Sequence, residues 1–397
     1  MFLEKEGKLI YSYDGETVCI EAWGKDALRV RATKNRSFTG RDWALEAKDA
    51  HAGEVEIFED PSAKGGAFAN MYEGTDTSYG KITNGKLHAV IDSGSVITFY
   101  HEDGRVLLKE HFRRLRDEES MPLNIMGREY SNGVGDNFRI VTRFVARKGE
   151  KIFGMGQYQQ HELDLKGCML ELAQRNSQVS VPFYLSSIGY GFLWNNPGVG
   201  QVMFANNGTE WVTESGKEID YLVIAGDTPA EIEENYMTLT GKPPMMPEYG
   251  MGFWQCKLRY WNQEQLLSVA RKYKELGVPL DVIVVDFFHW TKQGEFKFDP
   301  KYWPDVPGMC RELKEMGIQV VVSVWPTVDI YSENFEEMKE KGYLVRTEHG
   351  VPLTMLCGGN EVFFDATNPD ARTYVWEKIK KNYYDQGAKL FWLDVAE

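Results

Sequence analysis

This sequence is poor in the features that usually announce a function. Its five cysteines, Cys19, Cys168, Cys256, Cys310 and Cys357, are odd in number, far apart and never spaced as C-x-x-C. Neither a disulfide framework nor a zinc site is indicated, and a reducing compartment is expected. No run of eighteen apolar residues occurs, and the start Met1-Phe2-Leu3-Glu4-Lys5-Glu6 lacks a basic segment followed by an apolar one. A cytoplasmic protein with no membrane partner is the expectation. Clustered Lys and Arg are missing from a chain of net charge −14, which argues against nucleic-acid partners, whose phosphates must be neutralised. Three catalytic signatures also fail. His161-Glu162-Leu163-Asp164-Leu165 lacks the second histidine of a zinc-protease helix, and Gly154-Met155-Gly156-Gln157-Tyr158-Gln159 lacks the third glycine of a dinucleotide loop. A Gly-x-Ser-x-Gly elbow is absent as well. Nothing calls for a cofactor or a metal.

What is present is bulk, aromatic rings and acid. At 397 residues and 43% hydrophobic content the chain can bury the cores of two or so domains. Eleven Trp and twenty Tyr beside an acidic balance suit a protein that stacks rings on sugars, with most rings serving packing. The composition leaves a homo-oligomer open.

The pattern changes at Pro243-Pro244-Met245-Met246-Pro247 and predicts domains over 1–242 and 243–397. Upstream, Asn84-Gly85, Asp92-Ser93-Gly94 and Glu102-Asp103-Gly104 punctuate short runs in which Leu87, Ala89 and Ile91, then Val96 and Thr98, alternate. Pro182-Phe183-Tyr184-Leu185, Gly191-Phe192-Leu193-Trp194 and Tyr221-Leu222-Val223-Ile224 continue the theme, and a β-sandwich follows. Thr228-Pro229-Ala230-Glu231 predicts one helix start, with Ile232, Tyr236 and Leu239 at helical spacing.

Downstream, strands and helices alternate. Strands are expected at Gly250–Gln255, Asp281–Asp286, Gln319–Trp325 and Phe391–Leu393, with helices over 263–276, 307–316, 333–341 and 369–386. Four β/α units are half of an eightfold barrel, and an open sheet would leave an unpaired edge at Phe391–Leu393. The chain is therefore expected to be the amino-terminal portion of a longer polypeptide. Asp286, Trp325 and Asp394 close three of these strands, and in such barrels strand ends of one rim converge on one pocket. A strand-terminal aspartate is equally often a helix cap or loop anchor.

Six segments taken together resemble glycoside hydrolase family 31: Gly252-Phe253-Trp254-Gln255-Cys256-Lys257-Leu258-Arg259-Tyr260, Asp281 to Trp290, Phe298 to Asp305, Ser323-Val324-Trp325-Pro326-Thr327, Asp365-Ala366-Thr367-Asn368-Pro369 and Trp392-Leu393-Asp394. Phe153-Gly154-Met155-Gly156 and Pro182 to Ser186 resemble landmarks of that family's amino-terminal domain, a galactose-mutarotase-like sandwich. Within the family, Trp254 to Tyr260 and Phe288-His289-Trp290-Thr291-Lys292-Gln293-Gly294 resemble the bacterial α-xylosidase-like members. The departure is Val395-Ala396-Glu397, where many family α-glucosidases continue Met-Asn-Glu, and it leaves the sugar open between xylose and glucose.

The resemblance implies a β-sandwich followed by the first half of a (β/α)8 barrel, acting as an exo-α-glycosidase of retaining mechanism on an oligosaccharide or small α-glycoside. Asp394 would be the nucleophile and Asp286 the acceptor of hydrogen bonds from the sugar. Trp325 and Trp392 would wall the pocket, and one or more of Phe253, Trp254, Phe287 and Phe288 would shape the room left for a hydroxymethyl group. Arg175 and Asn176, on a sandwich loop, could reach toward substrate. The family's acid/base aspartate has no match in this chain, so the chain alone is expected to be insoluble or inactive. A sugar-binding form without turnover is the rival reading.

Overall fold

The computed structural model describes residues 1–59, 78–111, 113–115, 123–347, 349–355 and 360–396, so Cys357 and Glu397 lie outside the described residues. The chain divides into two compact units, Met1–Pro243 and Pro244–Glu397.

The first unit is built from antiparallel strands. Its largest sheet runs in the order Phe2–Lys5, Lys8–Tyr13, Glu16–Trp23, Ala27–Thr33, Ile219–Ala225, Tyr190–Trp194, Val179–Ser186, Ile152–Gln157, and Ala50–His51 pairs with Glu16–Trp23. Two five-stranded sheets accompany it, one spanning Glu54–Glu59 to Val106–Lys109 and the other combining Arg128–Asn132, Phe138–Phe144, Gly208–Gly216, Gly200–Ala205 and Met169–Leu172. One continuous hydrophobic cluster draws on all three sheets through Ile20 and Val30, Ile82 and Phe99, and Phe144 and Trp211. This is the expected sandwich.

The rings largely serve that core. Tyr184, Phe192, Phe204, Trp211 and Tyr221 are buried and pack on one another at centroid distances of 5.1 to 6.2 Å. The helix Pro229–Thr240 covers the other face of the large sheet, where Ile232 and Leu239 join Phe183, Leu193 and Leu222. Its start is as expected, because the Thr228 side chain accepts from the Glu231 amide and Pro229 occupies the first turn.

Elsewhere the alternation is shifted by one residue. The Asp92 carboxylate accepts from the Gly94 and Val96 amides at 2.9 and 3.0 Å, which holds Val96 in the turn. Ile97 and Phe99, not Val96 and Thr98, therefore supply the core face.

The second unit contains a parallel sheet in sequence order, Trp254–Gln255, Val282–Val285, Gln319–Val324 and Leu390–Leu393. It is the partial (β/α)8 barrel. The strand Val282–Val285 is at most 1% exposed throughout, as a run buried on both faces requires. The helices are Gln263–Glu275, Val306–Glu315, Phe335–Glu340 and Pro369–Ile379.

Several boundaries differ from expectation. The first strand has only two residues, because Glu248–Met251 forms a 3₁₀ turn. Leu276 is 62% exposed as the cap of its helix rather than core. The last helix gives way to a π-helical turn over Lys380–Tyr384, and an unforeseen antiparallel pair joins Thr327–Asp329 to Glu361–Phe363. No helix among the described residues is long and apolar enough to cross a membrane.

Candidate active site

Side chains alternate across the four parallel strands and divide the sheet into two faces. Ile283, Val285, Val320, Val322, Val324 and Phe391 pack with the helices through Leu266, Leu267, Met309 and Leu313. Val282, Val284 and Val321 pack with Leu390 on the opposite face. By alternation Cys256, Asp286, Ser323, Trp325, Trp392 and Asp394 all belong to this second, inner face.

The register then sets them level. Ser323 pairs with Trp392, and Val285 with Val322, so one further step places Asp286 beside Ser323. The Asp394 amide donates to the Val324 carbonyl at 3.1 Å, which extends the ladder past Leu393 and brings Asp394 level with Trp325. Two carboxylates and two indoles, separated by up to 108 positions in sequence, thus occupy adjacent levels at the carboxyl ends of neighbouring strands.

Each carboxylate is fixed locally. Asp286 accepts from the Phe287 amide at 2.8 Å through one oxygen and faces the Cys256 thiol at 3.4 Å through the other. Asp394 accepts from the Val395 amide at 3.0 Å. The backbone just after each is strained, with Phe288 at φ 60° and Val395 at φ 59°. A positive φ is costly for bulky and β-branched side chains, on the order of 1–3 kcal/mol each, and such residues cluster at functional sites.

Behind Asp286 stands His289, 1% exposed. Its Nδ1 lies 2.9 Å from the Asp286 carbonyl and its Nε2 2.9 Å from the Tyr383 hydroxyl. The carbonyl can only accept, so Nδ1 carries the proton and Nε2 accepts from the tyrosine. Burial pushes the imidazole down to about 4, keeping it neutral. The π-helical turn contains this tyrosine, in keeping with the tendency of such turns to mark functional positions. Burial together with Asp286 pushes the Cys256 thiol up to about 11, so it is a neutral donor toward the carboxylate.

Trp325 is boxed by Phe287, Phe288 and Trp290 at 5.5, 6.2 and 5.7 Å, and its buried Nε1 has no partner. Ser323 Oγ, between Asp286 and Trp392, is buried and unpartnered too. Unpaired buried polar atoms are costly, and a ligand hydroxyl would satisfy both. Trp392 remains 45% exposed.

Two anticipated residues do not join this rim. Trp254 pairs with Val282, at the beginning of its strand rather than the end that carries Asp286. Its indole donates back to the Gly250 carbonyl at 3.2 Å. Phe253 stacks on Tyr273 of the helix Gln263–Glu275 at 5.9 Å. The strand is two residues long, so the inner-face position just past its carboxyl end is Cys256, which the motif-based reading passed over. Counting two positions on from Trp254 and three on from Asp286 would have singled out Cys256 and His289. Arg175, in the first unit, is exposed and paired with Glu171 through two contacts of 2.6 Å.

Comparison with known proteins gives the family. Residues 243–397 match the glycosyl hydrolases family 31 TIM-barrel domain, and residues 17–202 the glycosyl hydrolase 31 N-terminal galactose mutarotase-like domain. An uncharacterized family 31 glucosidase of Pseudescherichia vulneris is 44% identical over 100% of this chain and 73% of its own length. Alpha-xylosidase A of Aspergillus niger is 31% identical over 96% of this chain and 52% of its own. A crystal structure of a family 31 alpha-xylosidase from a soil metagenome, complexed with xylose, superposes with a TM-score of 0.89 at 48% identity, covering 100% of this chain and 57% of that one. The chain thus spans about half to three quarters of these relatives. On two matching domain models and a 44% identical relative that matches 100% of this chain, the chain belongs to glycoside hydrolase family 31.

Proposed function

We propose that this chain supplies the nucleophile and much of the sugar pocket of a retaining, exo-acting α-glycosidase that releases terminal α-linked xylose. The observation that carries the reading is the shared inner face: Asp286 and Asp394 close the strands on either side of Gln319–Val324, which ends at Trp325, with Trp392 beside them and strained backbone at Phe288 and Val395. In the proposed reaction an Asp394 oxygen forms a bond to the anomeric carbon as the bond to the leaving oxygen breaks. A carboxyl roughly 5 to 5.5 Å away protonates that oxygen, and water then resolves the glycosyl-enzyme. Asp286 accepts from hydroxyls of the same sugar.

The acid is taken to come from a segment outside these 397 residues. Without it the chain by itself forgoes roughly 10²- to 10⁴-fold of rate, and we expect it to be inactive. The free thiols Cys19, Cys168, Cys256 and Cys310 support a reducing, cytoplasmic setting.

The α-xylosidase relatives favour xylose, whereas the 44% identical relative is named a glucosidase and favours the second reading, glucose on the same scaffold. Incubating the full-length gene product with 5-fluoro-α-xylosyl fluoride and with its glucosyl counterpart, then mapping the adduct by mass spectrometry, decides among the readings. An adduct on Asp394 is expected, accumulating faster from the xylosyl reagent. Faster labelling by the glucosyl reagent selects glucose. Absence of any adduct at Asp394 removes the retaining-glycosidase reading and leaves a sugar-binding role.

A further inference from the structure

Arg259 is a cation at this rim that neither Asp286 nor Asp394 employs. Its guanidinium lies 3.8 Å from the centroid of the Trp261 ring and 5.3 Å from that of Phe288. Its Nε is buried without a hydrogen-bond partner. Among the described residues no carboxylate pairs with it, in contrast to Arg271, which is bound by Glu264 and Glu312. Stacking uses the face of a guanidinium and leaves its edge, a rigid fork of N–H donors, for an acceptor.

Both rings are held in place, yet half their surface faces solvent. The Trp261 amide donates to Gln265 Oε1 at 2.7 Å, within the cap of the helix Gln263–Glu275, and the Phe288 ring packs on Phe287, Trp290 and Trp325. Trp261 is 58% and Phe288 47% exposed. By depth, this patch lies on loops beyond the strand ends, whereas Ser323 beside Asp286 is 1% exposed. In an exo-acting enzyme the sugar being released sits deepest, and the part of the substrate that leaves extends past the outer groups. The chain's charge of −14 disfavours an anionic ligand.

We propose that Arg259, flanked by Trp261 and Phe288, binds the leaving-group sugar, donating two N–H groups to adjacent hydroxyl oxygens while the exposed rings pack on its apolar face. The proposal rests on the exo-glycosidase reading above.

The test compares two substrates of the full-length gene product: a disaccharide α-linked to glucose and a 4-nitrophenyl glycoside, each carrying whichever terminal sugar the trapping experiment selects. The nitrophenyl group offers no hydroxyls to a fork of donors. For Arg259→Ala, kcat/KM on the disaccharide is expected to fall roughly 10- to 100-fold through KM, with less than about a threefold change on the nitrophenyl glycoside. Arg259→Lys, which keeps the charge and loses the fork, should recover little, and Trp261→Ala should lower disaccharide turnover alone by a smaller factor. Equal losses on both substrates, or no loss on either, overturn the assignment. If the unaltered enzyme turns over neither substrate, the glycosidase reading fails, and this proposal with it.

Discussion

The two units treat buried polar groups in opposite ways. In the first unit Arg128 is enclosed by carboxylates: it donates to both oxygens of Glu16 at 3.0 Å, to Glu110, and to Ser95 Oγ at 2.6 Å. Glu110 in turn accepts from the Ile97 amide and the Tyr221 hydroxyl. Arg29 is likewise forked onto Asp220 at 2.9 and 2.7 Å. The unpartnered atoms of that unit, such as those of Trp23, Thr142 and Trp211, are scattered through the core. In the second unit Ser323, Trp325 and Arg259 leave theirs at or beyond the carboxyl ends of two strands of one sheet, Gln319–Val324 and Trp254–Gln255, and Tyr260 and Glu295 leave one atom each on loops. A network closed on itself specifies a fold, while donors left open together at one rim await a ligand.

The most severe test of that contrast is Asp394→Asn in the full-length gene product. It should lower kcat by roughly 10⁴-fold or more with an unchanged melting midpoint. Retained turnover would show that the open rim is not the reacting one. Arg128→Met should do the reverse. Two buried carboxylates lose their partner, stability drops by roughly 3–5 kcal/mol, and denaturant unfolding of the surviving folded protein should show the loss without a matching fall in kcat.

His289 sharpens the comparison, since it is a closed element within the open unit. Its folded pKa of about 4 lies below the ordinary 6.5, so the unfolded chain binds the proton first as pH falls. Its contribution is complete above pH 6.5 and is lost progressively down to about 4, amounting to about 3 kcal/mol at most. His289→Gln should flatten the fall in melting midpoint over that window. Equal slopes in the two proteins would refute the neutral, buried imidazole.

The smallest effect is expected at Cys256, whose thiol faces Asp286. Cys256→Ala should raise KM two- to fivefold with kcat retained, and Cys256→Ser should restore KM. With a pKa of about 11, the thiol should resist iodoacetamide at pH 8. Rapid labelling there would contradict its contact with the carboxylate.

Much of this was legible in the chain, for identifiable reasons. Alternation and turn residues gave away the hairpins around Asn84-Gly85, because a pleated strand half exposed to water must alternate. The cap at Thr228 and the β-branched run Val282–Val285 were legible for equally local reasons. Where a side chain forms a turn the local pattern misled, as at Asp92, and a two-residue strand is too short to show a period, as at Trp254.

By itself the sequence determined the local pattern of strands and helices and the identity of the residues that close the parallel strands, since each depends on neighbours within a few positions. The tertiary structure alone decided that Cys256 and not Trp254 faces Asp286, that His289 meets Tyr383 across 94 positions, and that Arg259 lies between two rings. Inter-strand register and helix placement set those meetings, and both arise from packing summed over the whole barrel unit, which no local stretch of residues encodes.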